Sequence, residues 1–316
     1  MMMALVMLAI ASGLAVMMWY DNQLNGARVN NLQQAYQARH YAQGMMLWAS
    51  DLLREDYAQD QTPHDHNEDL WHQGIRGMVV EHAILSGELT GLNDRFNINN
   101  VFINGQVSEP HVAYLQRLLL ILELDITLAD KIVDWIDPDQ IPRPGGAEDF
   151  IYLAKSPGYR TTGRYFQHTS ELGLLEGVSE SDYQLLSRHL VALPLNGSVS
   201  SKMNVNTMKP PLLKALSPLI TNEVAVRLYQ NGTARFTDMN AFFQHEAVRF
   251  VFFKTDSQQP IRLLADVKTT ELEGQSTIRM GNSVYQMYAL LRRNNSGAAR
   301  VISRAVSPFD PLNLLE

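Results

Sequence analysis

The chain has 316 residues, a formal net charge of −7 and no cysteine. Its hydrophobic content of 46% supports a buried core, and its length allows one elaborated domain or two ordinary ones. With a net negative charge, the protein has no overall positive potential that would attract nucleic acid non-specifically. The absence of thiols excludes disulfides, thiolate catalysis and cysteine-ligated zinc.

The first segment, Met1 to Tyr20, carries no charged side chain. A helix of about 1.5 Å per residue and this length spans about 30 Å, the thickness of a hydrocarbon core. Trp19 and Tyr20 lie where an interfacial aromatic pair is expected. A cleaved secretory signal is the alternative, because Ala9 and Ala11 offer small residues, but no basic segment precedes the run and the run continues past them. We therefore predict a retained transmembrane helix.

Residues 21–57 continue the helical pattern beyond the apolar segment. They contain no proline, and their only glycines are Gly26 and Gly44. Apolar side chains recur at helical spacing along one face, at Ala38, Ala42, Met45, Ala49 and Leu52. The pattern predicts one continuous helix from Met1 to about Tyr57, with a lipid-soluble first half and an amphipathic second half.

The next segment, 58–74, is polar, acidic and interrupted by Pro63, so it breaks the helix. Its candidate zinc ligands are His64, His66, Asp69 and His72. These residues lack the His-x-x-x-His spacing of a helical zinc site, and a solvated loop is favoured. Apolar and β-branched runs over 75–85 and 87–105 then predict strands.

A block of helices occupies the middle of the chain. The predicted helices cover 109–124, 127–136, two segments within 169–193, and short segments of 201–245 separated by prolines. Thr169 or Ser170 is the expected cap of the first helix within 169–193, and Ser179 and Asp182 have the spacing of a capping box for the second. From about Phe250 the apolar pattern returns to a period of two, which predicts strands joined by turns. A helical block between two groups of strands is typical of an insertion into an α+β domain.

The stretch WIDPDQIPRPGGAED (135–149) concentrates carboxylates, prolines and glycines. With Asp137 as position 1 of an EF-hand loop, Asp139 is position 3 and Glu148 is position 12. The match then fails, because positions 5 and 6 are Ile141 and Pro142. An oxygen-rich cluster still favours Ca²⁺ over zinc, whereas Asx-turns and helix caps explain the same residues without an ion. Spacing leaves both interpretations open.

Four segments of the chain are similar to one family of membrane proteins. They read DRFNINNV (94–101), DWIDPDQIPRPGGAEDFIY (134–152), SPGYRTTGRYFQHTSELGLLEGVSESDY (156–183) and MNVNT (203–207). With the amino-terminal helix and the small sheet, they resemble the minor pseudopilin K family of the type II secretion system, across essentially the whole chain. The resemblance implies an α+β, pilin-like fold in which a long N-terminal transmembrane helix packs on an antiparallel sheet, with a large all-α domain inserted between the strands.

The resemblance also implies a division of the chain. Residues 1–20 would form the transmembrane part of the helix, and 21–105 the periplasmic helix and first strands. Residues 106–248 would form the inserted helical domain, and 249–316 the C-terminal strands of the pilin-like domain. Within the insert, 201–245 resembles a helix-hairpin-helix module.

The function implied by the resemblance is non-enzymatic. Members of the family assemble with minor pseudopilins I and J at the tip of a periplasmic pseudopilus, initiate its assembly and support export of folded exoproteins across the outer membrane. Other pseudopilus subunits, the inner-membrane secretion platform and the prepilin peptidase are further expected partners. The expected location is the Gram-negative inner membrane, with one span, the bulk of the chain in the periplasm and no nucleic acid bound.

Two local expectations follow from the resemblance. Family members bind calcium in this helical region, so one or two structural Ca²⁺ ions are expected, with ligands drawn from Asp137, Asp139, Glu148 and Asp149. Most pilin-like subunits carry a glutamate at position 5 of the mature chain, where it pairs with a neighbour's terminal amine. If Met1 is the mature terminus, this position is Leu5. A buried unpaired amine is costly, so Leu5 fits a terminal position in the fibre.

Two other functions are less consistent with the sequence. A glycoside hydrolase would use two carboxylates beside a cleft, but no substrate-groove or nucleophile motif accompanies the acidic stretch. A membrane-anchored DNA receptor is the alternative from another class, because of the helix-hairpin-helix resemblance. Its hairpin position, Ser217-Pro218-Leu219-Ile220, has no glycine to expose backbone amides to phosphate. We therefore expect this module to pack against protein.

Overall fold

A computed structural model describes residues 2–59, 63–281 and 283–306 of the chain. One helix, α1 (Met2–Gln59), forms the amino-terminal segment, which confirms the prediction of a continuous helix. Its apolar window has a mean hydropathy of 2.2 and is not buried in the protein, and its length and composition suffice to cross a membrane. The buried side chains of α1 all lie in its second half: Ala38, Ala42, Met45, Met46, Ala49 and Leu53.

The remaining elements alternate between strands and short helices. The strands are β1 (Ile75–Val80), β2 (Ala83–Gly91), β3 (Phe96–Asn97), β4 (Phe102–Ile103), β5 (Gln106–Val107), β6 (Leu190–Val191), β7 (Met203–Asn204), β8 (Ala265–Asp266), β9 (Glu271–Met280), β10 (Ser283–Arg293) and β11 (Ala299–Val306). The α-helices are α2 (Glu109–Ile121), α3 (Leu128–Ile136), α4 (Asp149–Tyr152), α5 (Glu180–Ser187), α6 (Pro210–Ala215), α7 (Asn222–Tyr229), α8 (Met239–Gln244) and α9 (Thr255–Leu264). The 3₁₀ helices are Leu70–Gln73, Ile98–Val101, Thr169–Leu174 and Gln230–Gly232.

The main sheet has five antiparallel strands in the order β1-β2-β9-β10-β11. Strands β2 and β9 are hydrogen-bonded neighbours, with Gly91 opposite Leu272, although residues 92–270 separate them in the chain. Everything between them is therefore an insertion between adjacent strands. This arrangement confirms the predicted fold, an antiparallel sheet interrupted by a helical region.

The second half of α1 covers one face of this sheet. Its buried side chains join Leu85, Leu272, Ile278 and Leu291 in one hydrophobic cluster. Met46 approaches β9 so closely that a Cβ at Gly274 would lie 2.8 Å from its sulfur. The glycine therefore permits close contact between helix and sheet.

Two hydrogen bonds fix the direction of the sheet along α1. The Tyr41 hydroxyl donates to the Glu81 carboxylate at 2.8 Å, at the turn between β1 and β2. The Ser50 hydroxyl donates to the Ala299 carbonyl at 2.7 Å, at the opposite end of the sheet. The inserted residues leave from this second end, so they lie on the side of the sheet farther along α1 from its apolar half.

The inserted residues build a hydrophobic core of their own. Its largest fully buried side chains include Tyr114, Trp135, Tyr152, Phe166, Phe242 and Phe252. At the start of α5, the Ser179 hydroxyl accepts from the Asp182 amide and the Asp182 carboxylate accepts from the Ser179 amide. The predicted capping box is thus formed.

Two local predictions are wrong. Residues Thr255–Leu264, expected as part of the strands, form α9, because Ile261 and Leu264 are spaced by three and turn inward on one helical face. The helix expected at the start of 169–193 is the short 3₁₀ helix Thr169–Leu174, and its cap is His168, whose ring accepts from the Ser170 amide.

The core of the insertion extends past residue 248, the end predicted for the helical domain. Phe252, Ile261, Leu264 and Val267 all belong to the same buried cluster as the helices before them. The predicted bounds of 106–248 and 249–316 remain a prediction.

Polar groups join the two cores where the insertion leaves and rejoins the sheet. The buried Asp65 carboxylate accepts from the Arg293 guanidinium and, at 2.6 Å, from the Thr269 amide. Its backbone carbonyl accepts from the side chains of Asn204 and Asn206 at 3.0 and 3.1 Å. One residue therefore ties together the segment before β1, the insertion and β10.

Asn93 makes the matching connection on the other side. Its side-chain carbonyl accepts from the backbone amides of Thr270 and Glu271 at 2.9 and 2.8 Å. Its side-chain amide donates to the Lys202 carbonyl at 2.7 Å and to the Glu271 carboxylate at 3.0 Å. The entry and exit of the insertion are thereby fixed next to each other.

The buried ion pair should be essential for stability. Arg293→Met leaves the Asp65 carboxylate buried without its cation, which costs about 3–5 kcal/mol when only one partner of a buried pair is removed. The control, Arg54→Met, breaks the exposed pair of Arg54 with Asp51 and should cost less than about 1 kcal/mol. Urea unfolding of the purified chain in detergent, followed by tryptophan fluorescence, measures both. Equal losses in the two variants would contradict the assignment.

Candidate metal centre

Helix α3 carries the first carboxylate of the acidic stretch into the protein. The helix ends at Ile136, and Asp137 follows in extended conformation with φ −71° and ψ 153°. This is the conformation favoured before proline, here Pro138. Asp139 then closes an Asx-turn by accepting from the Ile141 amide at 2.8 Å.

At Glu148 the chain comes back to the position of Asp137 and Asp139. It caps α4, and its backbone carbonyl accepts from the Ile151 amide at 2.9 Å. Its side chain is completely buried. One carboxylate oxygen from each of Asp137, Asp139 and Glu148 lies within 4.8 Å of the other two. The structure thus brings three of the four predicted residues together.

The buried oxygens of this cluster lack partners within the described part of the chain. Both carboxylate oxygens of Glu148, and Oδ1 of Asp137, are buried and accept no hydrogen bond. Burial, followed by the charges of Asp134 and Asp137, raises the pKa of Glu148 to about 8. Burial and the charge of Asp139 raise the pKa of Asp137 to about 6. Unpaired buried charges are costly, so the cluster requires either protons or a cation.

Asp134 is a further buried carboxylate at this site, which the EF-hand count does not include. Its oxygens accept from the Arg143 amide at 3.2 and 3.3 Å, and burial raises its pKa to about 6. A Cβ at Gly146 would overlap this carboxylate, so the loop closes over Asp134 only with glycine there. The sequence signal for Asp134 was its position in the last turn of α3, three residues before Asp137, the first residue after the helix.

Asp149, the fourth predicted ligand, is engaged elsewhere. Its carboxylate accepts from the Thr161 amide and hydroxyl at 2.9 and 3.1 Å and pairs with Arg160 at 2.7 Å. These contacts hold the segment after α4 against the acidic loop. Asp149 is not one of the three residues whose oxygens converge.

The arrangement suits a hard divalent cation. Carboxylate oxygens without nitrogen or sulfur ligands favour Ca²⁺ or Mg²⁺, and an irregular loop accommodates the flexible coordination of Ca²⁺ better than the strict octahedron of Mg²⁺. The complete burial of Glu148 also argues against acid–base catalysis on a dissolved substrate, which would need to reach it.

A second group of carboxylates, Asp56, Asp65 and Asp69, also converges, but Arg293 already neutralises Asp65. The surrounding loop is less solvated than predicted. Asp65 and Trp71 are buried, and the His72 ring stacks on Trp71 at 3.7 Å. The prediction of a solvated loop is therefore wrong for this part of the segment, where Asp65 and Trp71 lie inside the protein.

Comparisons with known proteins identify the family. The family model described as "Type II secretion system (T2SS), protein K" matches residues 94–195, which contain the acidic cluster. One chain of the crystal structure of the GspK-GspI-GspJ complex from the enterotoxigenic Escherichia coli type 2 secretion system superposes with a TM-score of 0.73. It is 20% identical, and the match covers 89% of this chain and 99% of that chain, which shows a common fold.

Sequence relatives extend the match over most of the chain. Type II secretion system protein K of Klebsiella pneumoniae is 31% identical over 284 residues, 86% of this chain and 83% of the relative. The protein of the same name from Pseudomonas aeruginosa is 30% identical over 278 residues, 85% of this chain and 80% of the relative. The chain therefore belongs to the type II secretion system protein K family.

Proposed function

We propose that the chain is a minor pseudopilin at the tip of the type II secretion pseudopilus, where it initiates assembly with minor pseudopilins I and J. The observation that carries the proposal is the likeness, over 89% of the chain, to one chain of a GspK-GspI-GspJ complex. In this role it supports export of folded exoproteins across the outer membrane and contacts other pseudopilus subunits and the inner-membrane platform.

The position of the insertion supports a place at the tip. The helical region leaves from the end of the sheet that is farther along α1 from the apolar half, beyond Ser50 and Ala299. A subunit stacked above this chain would meet that region first. Subunits below it face the turn between β1 and β2, near Tyr41, and are not obstructed.

Helix α1 offers a surface for the partner helices. Its buried residues face the sheet, and a second apolar stripe lies away from the sheet. Successive residues of an α-helix are about 100° apart, so residues separated by three, four, seven or eleven positions return to nearly the same face. The exposed members of this stripe are Val29, Leu32, Tyr36 and Leu47.

The partner assignment is tested with the full chain in detergent. Mixed with folded minor pseudopilins I and J, it should elute with both in one complex. Tyr36→Asp places a charge on the exposed stripe and should weaken association by about tenfold or more, the effect of losing one buried aromatic contact. Gln37→Asp, beside the stripe, is the matched control. Absence of a complex from three folded proteins would refute the proposal.

We further propose that Asp137, Asp139 and Glu148 bind a structural Ca²⁺ ion. The cation would replace the protons that the buried oxygens otherwise require and would fold a loop that contains three prolines. Asp134 would support the site by holding the Arg143 amide, and Asp149 by holding Thr161.

Calcium removal should lower the melting temperature. At a concentration of about 100 times Kd, a bound ligand stabilises by about 2.7 kcal/mol, or about 5–10 °C for a domain of this size. Glu148→Gln should abolish the difference between calcium and EGTA. Asp149→Asn, which lies outside the three-residue cluster, should lower the melting temperature yet keep that difference. A melting curve of the unaltered chain that is the same in EGTA and calcium would contradict the ion.

The stability of the calcium-free protein should depend on pH. The folded state raises the pKa of Glu148 from 4.5 to about 8, so between these values it binds a proton that the unfolded chain has released. Stability without calcium therefore falls as pH rises through this interval. Calcium replaces the proton, and its stabilising effect should be larger near pH 8.5 than near pH 6. Thermal melts in EGTA and calcium at both pH values decide this; an effect that shrinks with rising pH would contradict it.

A DNA receptor is the alternative function. The helices of the hairpin module, α6 and α7, bury Leu212, Leu213, Ala225 and Leu228 in the helical core. In the turn between them the Ser217 hydroxyl accepts from the Leu219 amide at 3.3 Å, so this amide already has a partner. We expect no salt-dependent binding of duplex DNA by the full chain.

A further inference from the structure

We propose that Arg249, Phe250, Phe253 and Lys254, here called the Phe250–Phe253 surface, dock an acidic segment of another protein. This surface lies on the inserted region and is separate from the α1 stripe and from the carboxylate cluster.

The two phenylalanines project from the connection between α8 and α9. Phe250 is 75% exposed and Phe253 is 71% exposed. The backbone between them is fixed, because the Phe252 amide donates to the Val248 carbonyl at 3.0 Å and both of these side chains are buried in the helical core. Val248 and Phe252 anchor the connection, so the rings of Phe250 and Phe253 stay exposed to solvent. Large apolar groups kept at the surface in this way are typical of interaction sites.

Each exposed ring has a cation beside it. The Arg249 guanidinium lies 4.6 Å from the centre of the Phe250 ring, and the Lys254 ammonium lies 5.6 Å from that of Phe253. Neither cation forms an ion pair within residues 63–281. The nearby Glu246 carboxylate is bound to Arg227.

The exposed rings lie among more cations than the chain as a whole would suggest. Residues 248–254 contain two cations and no carboxylate, and the flanking carboxylates are Asp256 and Glu246, of which Glu246 is bound to Arg227, whereas the chain carries a net charge of −7. A partner that buries the two rings must also accept Arg249 and Lys254 at the edge of the contact. Carboxylates beside apolar side chains meet both demands, so the fitting partner is an acidic protein segment.

The bilayer that α1 fits is too distant to be the ligand. Ser50, at the end of the sheet from which the insertion leaves, is about 45 Å along the helix from Tyr20, the last residue of the apolar segment. The Phe250–Phe253 surface is anchored by Val248 and Phe252 to the core of the inserted region, which leaves from that end. A second copy of this acidic chain is an alternative occupant, which the experiment distinguishes.

The experiment is site-specific photo-crosslinking of the full membrane-anchored chain in its own host cells. A benzoylphenylalanine side chain replaces Phe250 or Phe253, and, as a control, Leu219, which is 56% exposed on the same region. We expect the first two positions to cross-link one protein through an acidic segment and the control not to do so. Cross-links to lipid, to a second copy, or to minor pseudopilins I or J, or no cross-link at all, would overturn the proposal.

Binding measurements then test the chemistry. The cross-linked protein is purified and titrated against the full chain in detergent. Arg249→Glu/Lys254→Glu should weaken binding by about tenfold or more, while Arg249→Lys/Lys254→Arg should keep it within about twofold. Phe250→Ser/Phe253→Ser removes exposed rings and should abolish binding while the circular dichroism spectrum is unchanged. An unchanged Kd in the folded charge-reversed variant would refute the acidic character of the partner.

Discussion

The pairing of Asp65 with Arg293 is the interaction on which the rest of the fold depends. A sheet in which β2 and β9 are neighbours, yet separated by residues 92–270, is stable only if the insertion returns to its starting point. The buried Asp65 satisfies that condition from both ends, since its carboxylate binds Arg293 and the Thr269 amide while its carbonyl binds Asn204 and Asn206. The cost of burying these charges is offset by the number of hydrogen bonds they make together.

The two acidic clusters illustrate two ways of neutralising buried carboxylates. In the first, a side chain of the protein, Arg293, provides the positive charge. In the second, Asp137 and Glu148 bury oxygens that accept no hydrogen bond from the described residues, and a proton or an external cation has to provide the charge. The first cluster is therefore complete as soon as the chain folds. The second cluster is complete only when a proton or the proposed cation neutralises it, so we expect the stability of the acidic loop, unlike that of the first cluster, to respond to pH and to calcium.

The sequence predicted correctly those features that depend on residues close together in the chain. An uncharged run followed by an apolar stripe without proline predicted α1, and the spacing of Ser179 and Asp182 predicted a capping box. The spacing of Asp137, Asp139 and Glu148 left a metal site and a structural turn both open, and only the structure shows that their oxygens converge. Longer-range contacts decided the remaining cases. Asp149 is turned away by Thr161, twelve residues later, and α9 forms because Ile261 and Leu264 pack on a core built from helices far earlier in the chain.

The structure of the carboxylate cluster favours a bound ion more strongly than its sequence does, because burial depends on contacts that the sequence does not show. The prolines and Asx-turn of the loop explain its shape without any ion, and Asp139 does make such a turn. They do not explain why Glu148 is completely buried with neither oxygen bonded among the described residues. A structural turn would place that side chain in water, where its charge costs nothing. Burying it beside Asp137 is unfavourable unless a proton or a cation compensates, and the calcium proposal rests on this cost rather than on the number of acidic residues.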